Sequence, residues 1–332
     1  MKMKKIVATG LVGVLSASAL ASCGTNSVSL PSDPAKLANY VSEKQAALDS
    51  YEAKGTLSFA GEAVGQKANM DITYNMIYFK DPMQLKLTMD INAAADGAMV
   101  NEDKKMSAEM YFMQEDSNYV IYTGVNMDGE TQWQKTTIDS KDEEDKKMFD
   151  MLKNGGTDMM KDYSDCFVKN DEKSTDSEVA IDMNITPEKM NQMLEQSKEM
   201  VDDNSKKMVE NAESTLTNYG MSLDSIFKSM GTITTTMTVD KETGCYKKIS
   251  MDLQKPVQGL ADMILEMANT MMAAQGGDDA EKYTATISKC AFDLEYSNYN
   301  NATKFELPQE AKDAEEVSAN DPTSVFGTLE NE

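Results

Sequence analysis

Met70-Asp71-Ile72-Thr73-Tyr74-Asn75-Met76-Ile77-Tyr78 and, after Phe79-Lys80-Asp81-Pro82, Met83-Gln84-Leu85-Lys86-Leu87-Thr88-Met89-Asp90-Ile91-Asn92 decide the fold of this chain. In the first run Met70, Ile72, Tyr74, Met76 and Tyr78 share one parity, and Asp71, Thr73 and Asn75 hold the other. In the second, Met83, Leu85, Leu87, Met89 and Ile91 alternate with Gln84, Lys86, Thr88 and Asp90. A period of two with one apolar and one polar face predicts antiparallel strands wetted on one side. Pro82 has no N–H to give a ladder and biases Asp81 away from the α region, so the chain turns there. The sequence therefore predicts a sheet with one greasy face, and what covers that face decides the function.

Working outward, Tyr51 to Ala60 reads as the strand before this pair. Met106, Ala108, Met110 and Phe112 alternate with Ser107, Glu109 and Tyr111 in the strand after it. Tyr119 to Val125 and Thr131 to Ile138 complete a meander, turning at Asp128-Gly129. Trp133, the single tryptophan, reads as packing. Tyr163 to Lys169 pairs with Val179 to Ile185. Ile233, Thr235, Met237 and Val239 form a hairpin with Ile249, Met251 and Leu253 across Asp240-Lys241-Glu242-Thr243-Gly244. Thr284 to Tyr296 is a long strand with Thr286, Cys290, Phe292 and Leu294 on one parity. Helices are expected where a capping residue precedes Pro: Ser32 or Asp33 before Pro34, carrying Leu37, Tyr40, Val41, Ala47 and Leu48 to near Ser50, and Thr186-Pro187. The second carries Met190, Leu194, Val201, Met208, Ala212 and Leu216 and stops at Gly220. Further helices are expected from Asp139 to Leu152, stopped by Gly155-Gly156, over Leu223 to Phe227, and from Pro256 to Ala274.

The amino terminus places Lys2, Lys4 and Lys5 before an apolar run from Ile6 to Leu20, then Ala21-Ser22-Cys23. A charged start, a short apolar middle and small residues describe an export signal. The run is too short for a comfortable membrane span. Leu20-Ala21-Ser22-Cys23 resembles the lipobox of bacterial lipoproteins, which implies that Cys23 is lipidated and becomes the new amino terminus. The expected organisation is a signal peptide over 1–22, a lipidated tether over 23–33, one domain over 34–310 and an acidic disordered tail over 311–332. The expected location is the extracytoplasmic face of the cell membrane, held by the lipid anchor.

Composition excludes more than it suggests. The formal net charge is −24, which becomes −27 without Lys2, Lys4 and Lys5, and every cation is a Lys. Such a balance repels nucleic acid and anionic surfaces. With no His, the side chain that titrates near neutrality and the usual transition-metal ligand are both missing, and most Ser-His and Cys-His nucleophile schemes go with them. With no Arg, bidentate phosphate clamps go too. Asp142-Glu143-Glu144-Asp145 and Asp278-Asp279-Glu281 lack the ordered spacing of a calcium loop. Met263, Met267 and Met271 stand at i, i+4 spacing without a His or Cys companion, so no metal is expected. Cys166, Cys245 and Cys290 allow one disulfide with one thiol left over, and Cys290 shares the parity of Phe292 and reads as buried. No enzyme activity, cofactor or nucleic-acid partner is expected.

Tyr51-Glu52-Ala53-Lys54-Gly55, Tyr78-Phe79-Lys80-Asp81-Pro82, Val239-Asp240-Lys241-Glu242-Thr243-Gly244 and the closing Phe305-Glu306-Leu307-Pro308 resemble a poorly characterised lipoprotein family of Gram-positive bacteria. That family is similar to the LolA/LolB and LppX lipoprotein carriers. The resemblance covers about residues 35 to 312. It implies an α+β fold: a strongly curved antiparallel sheet, or half-barrel, with helices covering a concave face that can hold acyl chains. The 28 methionines fit this expectation, since flexible, polarisable thioethers suit surfaces that adapt to varied apolar partners, although Met also fills ordinary cores. The residues expected to line such a cavity are Met70, Ile72, Tyr74, Leu85, Leu87, Met89, Met110, Ile233, Met237, Met263 and Met267. The alternative is a structural or interaction module of the cell envelope, non-enzymatic, with a fully packed core.

Overall fold

A computed structural model describes residues 28–96, 101–115, 118–127, 129–138, 163–200, 211, 213–217, 220–274 and 282–317. The export signal, Cys23, the helix expected over 139–152 with its glycine stop, both acidic clusters and Val201, Met208 and Ala212 lie outside these residues.

The described chain is α+β: one large, open, mostly antiparallel sheet of twelve strands, with few helices. The strands are β1 (Ser50–Ala63), β2 (Gln66–Phe79), β3 (Gln84–Asp96), β4 (Asn101–Glu115), β5 (Asn118–Met127), β6 (Glu130–Ile138), β7 (Phe167–Asn170), β8 (Glu178–Ile185), β9 (Ile233–Asp240), β10 (Tyr246–Asp252), β11 (Ala285–Ser297) and β12 (Glu315–Glu316). The helices are α1 (Pro34–Gln45), α2 (Pro187–Met200), α3 (Leu223–Met230), α4 (Gln254–Ala274) and α5 (Gln309–Lys312). Strand order across the sheet is β12-β6-β5-β4-β3-β2-β1-β11-β10-β9-β8-β7. Two meanders, β1 to β6 and β7 to β11, thus meet where β1 pairs with β11, and only β12 runs parallel to its neighbour.

The alternation of Met70–Asn92 is realised residue for residue. Tyr74 stands opposite Met89, Met76 opposite Leu87 and Tyr78 opposite Leu85. Beyond it, Leu87 faces Met110 and Leu85 faces Phe112. The same side continues the other way through Leu57 and Ile72, then Leu57 and Phe292, Met251 and Phe292, Ile249 and Met237, and Met237 and Ile181. We call this the methionine face. The hairpin joining β1 to β2 is a two-residue turn, with both Val64 (φ 53°) and Gly65 (φ 73°) left-handed, the geometry that matches strand twist.

Helix α1 closes one end of this face. Asp33 caps it by accepting from the Lys36 N–H at 2.8 Å, and Pro34 supplies a preset φ in the first turn. Its buried stripe, Leu37, Ala38, Val41, Ser42 and Gln45, follows helical spacing and joins Tyr51, Ala53, Met76, Leu85, Ile181, Met237, Ile249 and Leu294 in the main core. Burying each large apolar side chain there contributes roughly 1.5–3 kcal/mol. The helix stops at Gln45, so Ala47 and Leu48 belong to the turn into β1.

Several expectations need correction. The segment from Tyr163 is a turn and one 3₁₀ turn (Ser164–Cys166), and the strand begins only at Phe167. Thr286 leaves the parity of Cys290 because the ladder skips Ser288: Lys289 faces Ala60 but Ile287 faces Gly61. That bulge puts Ile287 on the methionine face in place of Thr286 and buries it. The opposite face is not wholly wet. Over β4 to β6 its Tyr111, Val120 and Tyr122 are buried with Ala311, against Met113, Trp133, Phe305 and Leu307. The cover is the carboxy-terminal segment, which leaves β11, crosses that face and pairs Glu315 and Glu316 with Gln134 and Lys135. The tail expected from residue 311 is therefore corrected over 311–317, where the chain is built into the fold as the end of α5 and all of β12. Cys166, Cys245 and Cys290 are all buried and form no disulfide among the described residues.

Candidate functional site

The apolar wall changes character along the strands. At the α1 end it is core: Tyr74, Leu85, Met110 and Met237 are all buried, Leu85 to 2% exposure. Toward the other end the same parity carries Leu57, Phe59, Met70, Ile72, Leu87, Met89, Ile91 and Met106, all half-buried. Ile72, Leu87, Met89, Met183 and Phe292 pack against the core's rim. The wall is continuous because the register is: Phe59 faces Met70, Ile72 faces Ile91, and Ile91 faces Met106. Among the described residues it is a wide apolar surface that α1 seals at one end only.

One side chain reaches across neighbouring strands to build it. Tyr74 lies over Gly55, where a Cβ would come within 2.2 Å of its ring, and its hydroxyl donates to the Asp293 carbonyl at 3.3 Å. Its ring stacks on Phe292 at 5.9 Å. The glycine thus lets an aromatic ring bridge β2, β1 and β11. Burial, helped by the Asp293 carboxylate, pushes the Tyr74 phenol far above its ordinary pKa, so it stays a neutral donor.

Under α1 the wall meets polar groups. The Ser42 hydroxyl shares a hydrogen bond with the Tyr246 hydroxyl at 3.3 Å, and Tyr299 donates to the Tyr246 carbonyl. Both amide atoms of Gln45 and the hydroxyl of Tyr296 are buried without a hydrogen-bond partner among the described residues. Orphaned polar atoms in so apolar a setting are costly, and such groups call for a ligand or water.

Helices α2 to α4 lie toward the other end. Helix α4 runs beside the first half of β11, taking the place that β10 vacates. Gln254 donates to the Ile287 carbonyl, Gln258 donates to the Ala285 carbonyl, and the Ile287 N–H donates back to Gln258 Oε1. Two glutamine amides thereby stand in for a missing strand. Helix α3 packs on α4 with Gly259 against Ser229, where a Cβ would sit 1.9 Å from a backbone oxygen, and α2 packs on α3. Helix α3 has no buried residue, and on α4 Met263 and Met267 are half-buried while Ile264 and Met271 are exposed at 45% and 40%.

The structure thus brings Met70, Ile72, Tyr74, Leu85, Leu87, Met89, Met110 and Met237 onto one face, with Tyr74, Leu85, Met110 and Met237 in its packed half. Ile233 stands at the start of β9, opposite Ile185, and Met263 and Met267 ride on α4. Sequence reasoning missed Leu57, Phe59 and Met106 as lining residues, although each keeps the parity of Met70. It also missed Gln45, which only the helical spacing from Leu37 and Val41 could have placed inward. No described helix is long and apolar enough to cross a membrane, and no group of metal-ligating side chains occurs among the described residues. Comparison with protein-family models, with curated proteins and with solved structures finds no match.

Proposed function

We propose that this protein is a lipid-anchored, non-enzymatic carrier that shelters an apolar ligand, a lipid or acylated molecule, against the methionine face. The observation that supports it is the half-buried apolar wall from Phe59 and Met70 to Ile91 and Met106. Folded chains rarely leave so contiguous a large apolar surface unless something docks on it. In this reading the sheet curls into a LolA/LppX-like half-barrel, and helices α2 to α4 cover its concave side and move to admit the guest. An acyl chain of a dozen methylenes contributes on the order of 10 kcal/mol by burial before ordering costs. Gln45 and Tyr296 suit the carbonyl or hydroxyl of such a ligand's polar end, since both are neutral hydrogen-bonding groups.

The chain from Gly24 onward, titrated with a fluorescent fatty-acyl probe, is expected to bind it saturably. Ile72→Lys should weaken that binding roughly a hundredfold by placing an ammonium against the acyl chain. Empty protein after lipid extraction and native mass spectrometry, with no probe uptake, would leave the packed envelope module as the better reading. The anchor has its own test. Cells fed a radioactive fatty acid are expected to label the protein, and Cys23→Ala should remove the label; a label that persists in that variant rules out Cys23 as the lipidated residue.

A further inference from the structure

The face opposite the methionines carries a second site. A cleft of about 390 Å³ opens between β4 to β6 and the carboxy-terminal segment, bordered by Trp133, Gly124, Glu109, Ser107, Thr131 and Glu310. Its floor is aromatic. A Cβ on Gly124 would meet the Trp133 ring at 2.8 Å, so the missing side chain is what lets the indole lie down across β5. The comparable ring over Gly55, that of Tyr74, is buried to 7%, whereas Trp133 stays half-buried at the edge of an open cleft. The walls bring two carboxylates from different parts of the chain. Glu109, on β4, accepts from the Tyr111 hydroxyl at 2.7 Å and keeps 42% of its side chain exposed, with Lys86 3.8 Å away. Glu310 is exposed and makes no ion pair among the described residues. No lysine lines the cleft.

We infer that this cleft binds an organic ammonium ion, with the alkyl groups next to nitrogen lying on the Trp133 ring and the charge between Glu109 and Glu310. An indole face attracts cations better than any other side-chain ring. A net charge of −24 raises the local concentration of cations at every such site. A hard metal ion fits less well, because it wants several converging oxygens and gains nothing from the ring. A sugar fits less well too. The one amide in the cleft, Asn126, already donates to Thr131 Oγ1 at 2.9 Å and accepts from the Gly129 N–H at 3.3 Å. That leaves the two carboxylates as the main polar groups facing a ligand, and their combined negative charge favours a cation over a neutral sugar.

Trp133 is the only tryptophan, so its fluorescence reports on this cleft directly. The full chain at low salt, titrated with spermidine and with tetramethylammonium, is expected to show a saturable change in emission. Glu109→Gln with Glu310→Gln should raise the apparent Kd about tenfold, and a charge-matched pair at the far edge of the sheet, Asp171→Asn with Glu172→Gln, should move it less than about twofold. If circular dichroism shows that the first pair disturbs the fold, Glu310→Gln alone decides. No saturable change, an equal shift in the control pair, or a response to methyl glycosides in place of ammonium ions would each overturn the assignment.

Discussion

Replacing Phe305 and Leu307 together by alanine is expected to lower the stability of this protein by about 4 kcal/mol. Fully buried Phe→Ala and Leu→Ala changes cost about 3–5 and 2–5 kcal/mol, and both side chains here are only half-buried, so the sum is discounted. The reason for so large an effect at the end of a chain lies in the contacts. Phe305 sits between Phe79, at 6.0 Å, and Tyr111, at 5.8 Å, and so joins β2 to β4 from outside. The segment leading to it is fastened to β1: Asn300 bonds to the Ser50 carbonyl and accepts from the Asp49 N–H, and the Thr303 N–H donates to Glu52. That last bond, with a further one from Asn298, holds the Glu52 carboxyl below the usual carboxylate range. Urea unfolding should show a lower midpoint with an unchanged slope, and Trp133 emission should shift to the red as its cover loosens. A loss below about 1 kcal/mol with no shift in emission would falsify the role given to this segment.

Raising the pH through 10 is expected to unfold the protein by about pH 12, with ionisation of its buried tyrosines and loss of structure in one transition. Complete burial pushes the Tyr246 phenol up to about 12, partly offset by the Ser42 hydroxyl. Burial also holds Tyr296 and Tyr74 well above 10. Above pH 10 the unfolded chain sheds these protons while the folded chain keeps them, so unfolding releases protons and stability falls as pH rises. Each such phenol removes up to about 1.4 kcal/mol per pH unit across that window. Three of them acting together consume about 4 kcal/mol per unit, against a typical total of about 5–15 kcal/mol. The check is to follow tyrosinate absorbance and circular dichroism together. Tyrosinate reaching its full amplitude near pH 10 with the dichroism unchanged counts against the buried placement of these rings, since only accessible tyrosines such as Tyr283 can ionise in the folded chain, and Tyr246→Phe should move the transition upward.

Local signals carried much of this architecture. The alternation at Met70–Asn92, Pro82 between two strands, Asp33-Pro34 and Thr186-Pro187 before helices, and Asp240–Gly244 in a hairpin each act within a few residues, so each is readable from a short window. What escaped depends on partners far away. Parity says which side chains share a face, but it cannot say which face acquires a cover. Tyr111 alternates like a wetted residue and is buried only because Phe305 arrives from nearly two hundred residues on. The acidity of the segment after Pro308 suggested a tail, yet Ala311 is fully buried and outweighs its charged neighbours, which point to solvent. The bulge at Ser288 has no sequence mark of its own. It follows from pairing with β1, and it moves Thr286 off the parity that Cys290 and Phe292 define. For the candidate site the same division holds: the wall was legible, while the orphaned amide of Gln45 and the cleft beside Trp133 needed three dimensions.

The position of β1 sets the order in which this molecule can be completed. Its fourteen residues pair at once with β2, but the partner for its other side is residues 285–297. As the chain emerges, the meander β1 to β6 can zip up early by local hairpins, while the far rim of β1 stays open, a template for pairing with other chains until β11 arrives. Most of the sheet's slow, long-range closure is concentrated in that single seam, so folding should be limited by its docking and sensitive to chaperones that shield exposed strand edges.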